Sequence, residues 1–451
     1  MPETPVPRPY PDFALNEPIA LYEGSIELAG GGSVLRRGPG RVHLEWLPSL
    51  RIAYELDGLP RGDPIYTGEV ILRLPDLDPV AEAPATINRV LVGTGLVSGV
   101  LSGPLVVGRS DPVSAVRFQV PNTRGWLGGG LTDGRSVWAG RTALEGGPWR
   151  VTLDARVDEK DAVDELKSRG GYRFTYVGQI ERIDAGLMTL DESRGALAGV
   201  HHFLALARGF WTPPLLPVGF DTTGREVWRE LASAHATPWR ATESWFAHQK
   251  PDALVEAFPG FVQRWLDPDW RQTLELAIVW FVEANAPTWA ENSLVLSQAA
   301  LELLSWVVIV EELKRETRAS FKKKRAHQRI RDLLLWAQLP TSVPAELADV
   351  QTFAPGKDGP GSLALLRNAI VHGDRARIFA SDLGARIQLR TLALWYLELV
   401  LLRLFNFNGD YLSRIESGAV WDVKPVPWAT RTDLESQFAR PHAEEEEKGE
   451  S

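Results

Sequence analysis

The chain has 451 residues, 44% hydrophobic and 24% charged, with a formal net charge of −9. That length exceeds one ordinary core and predicts two or three domains. The acidic balance excludes a molecule built throughout as a nucleic-acid surface, so such binding needs a local basic patch. The absence of cysteine excludes disulfides, thiolate zinc sites and a cysteine nucleophile, and suits a reducing, cytoplasmic setting.

Residues 1–18, crowded with prolines from Pro2 to Pro11, read as a flexible arm without a signal-peptide core. Residues 19–240 read as β-rich, with apolar, β-branched and aromatic runs between Gly and Pro punctuation: Val42–Trp46, Val70–Leu74, Val113–Val120 and Trp149–Val157. This spacing predicts an antiparallel sandwich or open barrel. Two helices interrupt it, Asp158–Ser168 and Asp191–Arg208.

After Trp239 glycine becomes scarce and a helical period takes over. Helices are expected near Pro251–Trp265, Asp269–Ala284, Ala290–Ala319, Lys322–Gln338, Gly361–His372 and Asp382–Phe405, with Asp269 and Asp382 as N-caps. They make residues 251–410 an all-helical domain. The apolar run Leu294–Val310 contains Gln298 and Glu302, which favours a buried helix over a membrane span. Residues 440–451 form an acidic tail with the composition of a disordered segment. The expected class is α+β multidomain: a β-rich sandwich or barrel-like domain, then a helical bundle.

The stretch Ser362–Asp374 carries the chemistry. Leu363, Leu366, Ala369 and Ile370 recur at helical spacing, and Gly373 suits the residue that ends a helix. Arg367 and His372 are then separated by about 7.5 Å of rise and roughly 140° of rotation, so both side chains can reach one groove. An imidazole can shuttle a proton near neutral pH, a guanidinium can grip phosphate oxygens with its fork, and Asn368 can orient either. These groups suffice for RNA cleavage by the ribose 2′-OH, which needs a base, an acid and a cation but no metal. Two copies facing each other would supply separate acid and base histidines. Arg194 to His201 and Arg229 to His235 have related spacings but lack the following Asn and lie in the β-rich part. The alternative for Arg367 and His372 is a surface Arg and a capping His on a core helix.

The segment Lys314–Arg331 is the densest basic cluster, and Lys322, Lys323, Lys324, Arg325 and Arg329 within it are candidate RNA-phosphate contacts. Its alternative is a solvated helix face. Glu302 is a candidate partner for Arg367 or another cation. His201-His202 does not make a metal pair, since neighbouring helical residues point about 100° apart. No cofactor motif is present: Gly93–Gly99 lacks a dinucleotide loop's third glycine and a surrounding βαβ unit. Trp126, Trp138 and Trp149 are expected mostly in the core rather than as stacking platforms.

Leu366–Gly373 resembles the Arg-polar-x(3–5)-His motif of the HEPN superfamily. Ser297–Leu304 is similar to the helix that packs beside that motif, and His202–Ala207 to the segment closing the preceding domain. The layout resembles ApeA-like anti-phage HEPN proteins, sharply over Asn292–Phe405 and faintly over residues 20–240. The resemblance implies a HEPN-type bundle, homodimerisation through it, catalytic Arg367 and His372 with accessory Asn368, and growth-arresting cleavage of RNA, tRNA among the candidates. A phage-derived or other trigger would act at the β-rich domain. The rival is a non-catalytic protein whose β-rich domain binds a ligand and whose helices only dimerise. A carbohydrate-active β domain has no identifiable carboxylate pair.

Overall fold

The computed structural model describes residues 2–11, 13–57, 68–91, 95–416 and 423–429, in two units, 1–241 and 242–451. The expected acidic tail and residues 93 and 94 of the glycine-rich run lie outside the described residues.

The N-terminal unit holds two antiparallel systems. The first is a closed barrel of β1 (Ile19–Gly30), β2 (Ser33–Glu45), β3 (Arg51–Leu56), β4 (Gly68–Leu74), β5 (Ala81–Leu91) and β6 (Leu96–Leu101), in the order β1-β2-β3-β6-β5-β4. Pairing of Glu27–Ala29 on β1 with Ile71–Arg73 on β4 closes it. The long β1–β2 hairpin turns at Gly31 and Gly32, both at positive φ (57° and 80°), as a tight hairpin requires. Ile26, Leu28, Val42, Leu44, Ile52 and Leu72 alternate inward and are fully buried. The expectation of an open barrel or sandwich is thus refined to a closed barrel plus a second sheet.

That second sheet contains β7 (Leu105–Gly108), β8 (Ala115–Pro121), β9 (Gly129–Thr132), β10 (Val137–Gly146), β11 (Trp149–Ala155), β12 (Phe174–Arg182), β13 (Leu215–Phe220) and β14 (Glu226–Leu231), ordered β7-β14-β13-β8-β12-β11-β10-β9. Its helices are α1 (Glu159–Arg169) and α2 (Leu190–Arg208), close to the two expected interruptions. Thr189 and Glu192 form a reciprocal capping box at the start of α2. Trp126 and Trp149 are buried, and Trp138 donates its indole N–H to Ala155 O at 2.8 Å. His201 is half-buried against the Trp211 and His202 rings, and His235 packs on the same Trp211. Burial, reinforced by His202 and His235, lowers its pKa to about 3.

Residues 2–11 are not a free arm. The carboxylate of Asp154, fully buried, accepts Arg141 Nε and Nη2 at 2.8 and 2.6 Å and the Val6 N–H at 2.7 Å. Arg141 also donates to Glu3 Oε2 at 2.5 Å and Thr4 O at 2.9 Å. Glu3 exchanges backbone hydrogen bonds with Gly130 and Thr132, and Val6 and Tyr10 are buried. Proline removes amide donors but leaves carbonyls and side chains to dock, and the partners come from strands far along the chain.

The C-terminal unit is helical: α3 (Asp252–Leu266), α4 (Pro268–Asn285), α5 (Ala290–Trp306), a π-helical turn (Val307–Glu312), α6 (Arg318–Lys323), α7 (Ala326–Trp336), α8 (Ala348–Phe353), α9 (Gly359–His372), α10 (Arg375–Ala380) and α11 (Leu383–Leu404). A short pair, β15 (Asp410–Leu412) and β16 (Val423–Pro425), follows. Most of α11 from Leu392 to Leu404 is buried, and helices α3, α4, α5, α7, α8 and α9 pack on it. Glu398 inside it is buried, bonded by Arg414 Nε and Nη2 at 2.6 and 2.7 Å and by Trp245 N at 3.0 Å. The span Ala290–Glu312 is long and apolar enough to cross a membrane, but 67% of its most apolar window is buried within the fold.

Three boundaries differ from expectation. Asp267, not Asp269, caps α4, accepting the Asp269 N–H. The helix expected over Ala290–Ala319 stops being regular at Trp306, widens into the π turn and ends before Thr317 caps α6. The helix expected over Lys322–Gln338 is split at Lys324 and Arg325, both extended.

Replacing Arg141 with Met leaves Asp154 buried without its cation. The N-terminal unit should lose about 3 kcal/mol, the lower end for breaking a buried pair. Amides of residues 2–11 should exchange with solvent much faster, and unchanged protection there would show that the stretch is held by other contacts.

Candidate functional site

Helix α9 is built to bury three sides and expose one end. Asp358 caps it, accepting the Gly361 N–H at 2.9 Å, and Pro360 stands in the first turn, where no amide donor is needed. Leu363, Ala364, Leu366 and Ala369 are buried. Gly373 is left-handed (φ 68°, ψ 29°). Asp374 N bonds Ala369 O at 2.8 Å and Gly373 N bonds Ile370 O at 3.4 Å, the two bonds of a Schellman stop. Asp374 then caps α10, so a second short helix starts where the first ends.

The three predicted residues come out on one arc. Asn368 follows Arg367 by about 100° and precedes His372 by about 40° around the helix, so it sits between them. Arg367 Nη1 donates to Asn368 Oδ1 at 3.3 Å, which turns the guanidinium toward the His372 side. Arg367 is half-buried, with its Nε–H enclosed and unpaired, whereas Asn368 and His372 are exposed. This is neither a pair of separate packing sites nor an enclosed pocket. It is an open polar edge with one guanidinium partly withdrawn into the fold.

Sequence reasoning missed the groove beside this edge. A cavity of about 420 Å³ is lined by Thr352, Phe353, Leu365, Asp374 and Arg377 among others. Leu365 and His372 are seven residues apart, within about 20° of each other around the helix, so the histidine lies on the groove side of α9. The groove is mixed in charge rather than basic, and Asp374 pairs with Arg377 at 3.7 Å. Arg386 fixes α10 beside it, donating to Ile378 O at 2.8 Å and Glu291 Oε1 at 2.7 Å. Exposed apolar side chains flank the same end: Val371 at 49%, Phe379 at 72%, Leu383 at 69% and Ile387 at 50%. Their only sequence signal is apolar residues placed off the core face.

The basic cluster divides. Lys324 is paired with both Glu316 and Asp332. Arg329 donates to Lys322 O at 3.0 Å, lies 3.6 Å from Glu302 and covers the Phe321 ring. Lys324 and Arg329, expected as RNA contacts, therefore hold α6 and α7 in place, and Glu302 serves Arg329 rather than Arg367. Arg331 is bound to Asp358 at 2.7 Å and so secures the α9 cap. Among the described residues, Lys322, Lys323 and Arg325 are exposed without a carboxylate partner, joined by Lys314 and Arg315 just before them. Lys322 stands 6.0 Å from the Trp306 ring. Among the described residues, no group of three or more His, Asp and Glu is placed to hold a metal.

Arg329→Met should lower the thermal midpoint of the C-terminal unit by a few degrees, since roughly 1 kcal/mol corresponds to about 2–4 °C in a unit of this size. Lys323→Gln should leave it within about 1 °C, as exposed changes usually do. Equal effects in calorimetry would contradict this division of the cluster.

Known proteins place these two regions in related company. Residues 108–242 match a family model described as the YopA central domain, and residues 267–424 match one described as the YopA C-terminal domain. No solved structure matches the chain. The chain is similar to the SPbeta prophage-derived uncharacterized protein YopA of Bacillus subtilis (strain 168), 27% identical over 434 residues that cover 93% of this chain and 97% of that protein.

Proposed function

We propose that the C-terminal unit cleaves RNA by HEPN-type chemistry, with His372 and Arg367 acting from the exposed end of α9. The observation that carries this reading is the continuous arc of Arg367, Asn368 and His372, with the guanidinium hydrogen-bonded toward the histidine side. In the proposed reaction the ribose 2′-OH gives its proton to an imidazole and attacks the adjacent phosphorus. The P–O bond to the 5′-oxygen breaks, and that oxygen takes a proton from a second acid. Arg367 neutralises charge on the non-bridging oxygens, and Asn368 holds Arg367 in position.

One chain offers one histidine at this edge, so the proposal includes a homodimer that brings two His372 side chains to one phosphate. Val371, Phe379, Leu383 and Ile387 provide exposed apolar surface beside the edge, the kind of patch that marks an interaction surface. Lys322, Lys323 and Arg325 are the proposed phosphate contacts along the same unit. A growth-arresting role in defence, with a trigger sensed by the N-terminal unit, is the setting implied by the HEPN resemblance. The similarity to a prophage-derived protein is compatible with conflict between phage and host.

The same apolar patch favours one rival, a helical unit that dimerises without catalysis. One experiment separates the two: total bacterial RNA is incubated with purified full-length protein, with molecular mass followed by light scattering. Wild-type protein should cut RNA as a dimer. His372→Ala and Arg367→Ala should each slow cleavage at least about a hundredfold, the scale of a lost proton carrier or oxyanion partner, while staying dimeric. A dimer that cuts nothing would favour the rival, and a fully active monomer would remove the two-histidine mechanism.

A further inference from the structure

Directly opposed residues on neighbouring strands point to the same face of a sheet. In the eight-stranded sheet Arg141 on β10 opposes Asp154 on β11, Asp154 opposes Val177 on β12, and Val177 opposes Gln119 on β8. These four side chains form a row across one face. Residues 2–11 run along that row as a strap. Glu3 pairs in parallel with Leu131 on β9, Glu3 and Thr4 receive Arg141, and Val6 gives its N–H to Asp154. Pro5, Val6, Pro7 and Arg8 then wall a cavity of about 180 Å³ together with Val177 and Trp138. Farther along, the Tyr10 ring lies 5.7 Å from the Arg229 guanidinium on β14. Strand β8 stands between β12 and β14 in the sheet, so the strap passes the Gln119 position between Val6 and Tyr10.

The fit of the strap fails in its middle. Gln119 is completely buried, and among the described residues neither its amide nitrogen nor its amide oxygen has a partner. Nearby amides on the same two strands are served. Gln179 accepts Arg117 Nε at 2.7 Å. Asn122 donates to Gly171 O and Thr237 O and accepts the Arg173 N–H. A buried amide left unpaired is costly and uncommon. The strap is ill-suited to serve it, because Pro5, Pro7 and Pro9 have no N–H and the Val6 N–H is already engaged by Asp154. Pro7 and Arg8 are exposed on its outer side.

We propose that this row is a binding groove for an extended acidic peptide segment of a partner protein, with residues 2–11 as its resident occupant. The chemistry of the groove is the chemistry that seats the strap: main-chain pairing at β9, a carboxylate on Arg141 and an amide N–H on Asp154. A partner segment with an acidic residue in the Glu3 position and non-proline residues in place of Pro5, Pro7 and Pro9 makes the same contacts and also offers N–H groups to the Gln119 oxygen. Gln119 is covered until the strap lifts, so the partner replaces the strap and does not bind over it. The groove is independent of the proposed RNA chemistry on α9.

Fluorescence anisotropy on the full chain tests this with three synthetic peptides, each labelled at its C-terminus. One has the sequence of residues 1–11. The second carries Pro5→Ala, Pro7→Ala and Pro9→Ala. The third adds Glu3→Gln to the second. The tethered strap competes with all three equally, so their relative affinities read the groove. The alanine peptide should bind saturably, one per chain and about tenfold more tightly than the native-sequence peptide, the scale of satisfying one buried amide. Prolines pre-order an extended peptide, so pre-ordering alone gives the opposite ranking. The Glu3→Gln peptide should bind several-fold more weakly than the alanine peptide. In the full chain carrying Gln119→Met, the alanine and native-sequence peptides should bind alike. If that variant fails to fold, the three peptides on the wild-type chain still decide. No saturable binding of the alanine peptide, equal affinity of either other peptide, or an alanine advantage that survives Gln119→Met would overturn the proposal.

Discussion

Helix α9 can lie where it does because its first turn carries almost no side chain. Gly359 sits against the hydroxyl of Tyr396 on buried α11, so closely that a Cβ would overlap it. That contact sets the distance between the two helices. Asp358 then caps α9 and receives Arg331 from α7, fixing the rotation of the first turn. The far end is stopped by left-handed Gly373. With both ends fixed and Leu363, Leu366 and Ala369 inward, packing sets which way the arc of Arg367, Asn368 and His372 faces, and the Arg367–Asn368 hydrogen bond orients the guanidinium on it.

The same economy shows in the charges around α9. Lys324, Arg329 and Arg331 look interchangeable with Lys322, Lys323 and Arg325 as sequence, yet the first three are bound to Glu316, Asp332, Glu302 and Asp358. Those carboxylates come from α5, α7 and the loops around α6 and α9. Cations that hold helices together are not free to release counterions from RNA. What remains for a polyanion is the narrower set of Lys314, Arg315, Lys322, Lys323 and Arg325.

Several local signals in the sequence mark the fold directly, whereas its long-range pairings leave no local mark. The α9 stop at Gly373, the Asp382 cap and the boundaries of α2 follow from residue types a few positions apart. Closure of the barrel depends on β1 meeting β4, strands separated by two others in the chain, and no local pattern encodes that pairing. Docking of residues 2–11 depends on Asp154, 148 residues from Val6 in the chain, a partnership that proline content does not encode. At the candidate site, Arg367, Asn368 and His372 were legible from spacing. The groove was not, because Thr352, Phe353 and Arg377 carry no recognisable motif.

The central question is whether the exposed edge of α9 performs transesterification through the ribose 2′-OH. The most direct measurement is the chemistry of the ends produced when the full-length protein cuts a defined RNA in EDTA, beside the same RNA carrying a single 2′-O-methyl at the cut site. Transesterification at this edge should give undiminished cleavage in EDTA, a 2′,3′-cyclic phosphate and a 5′-hydroxyl at the cut, and no cleavage at the methylated position. A 3′-hydroxyl product, loss of activity in EDTA, or cutting at the methylated position would contradict it.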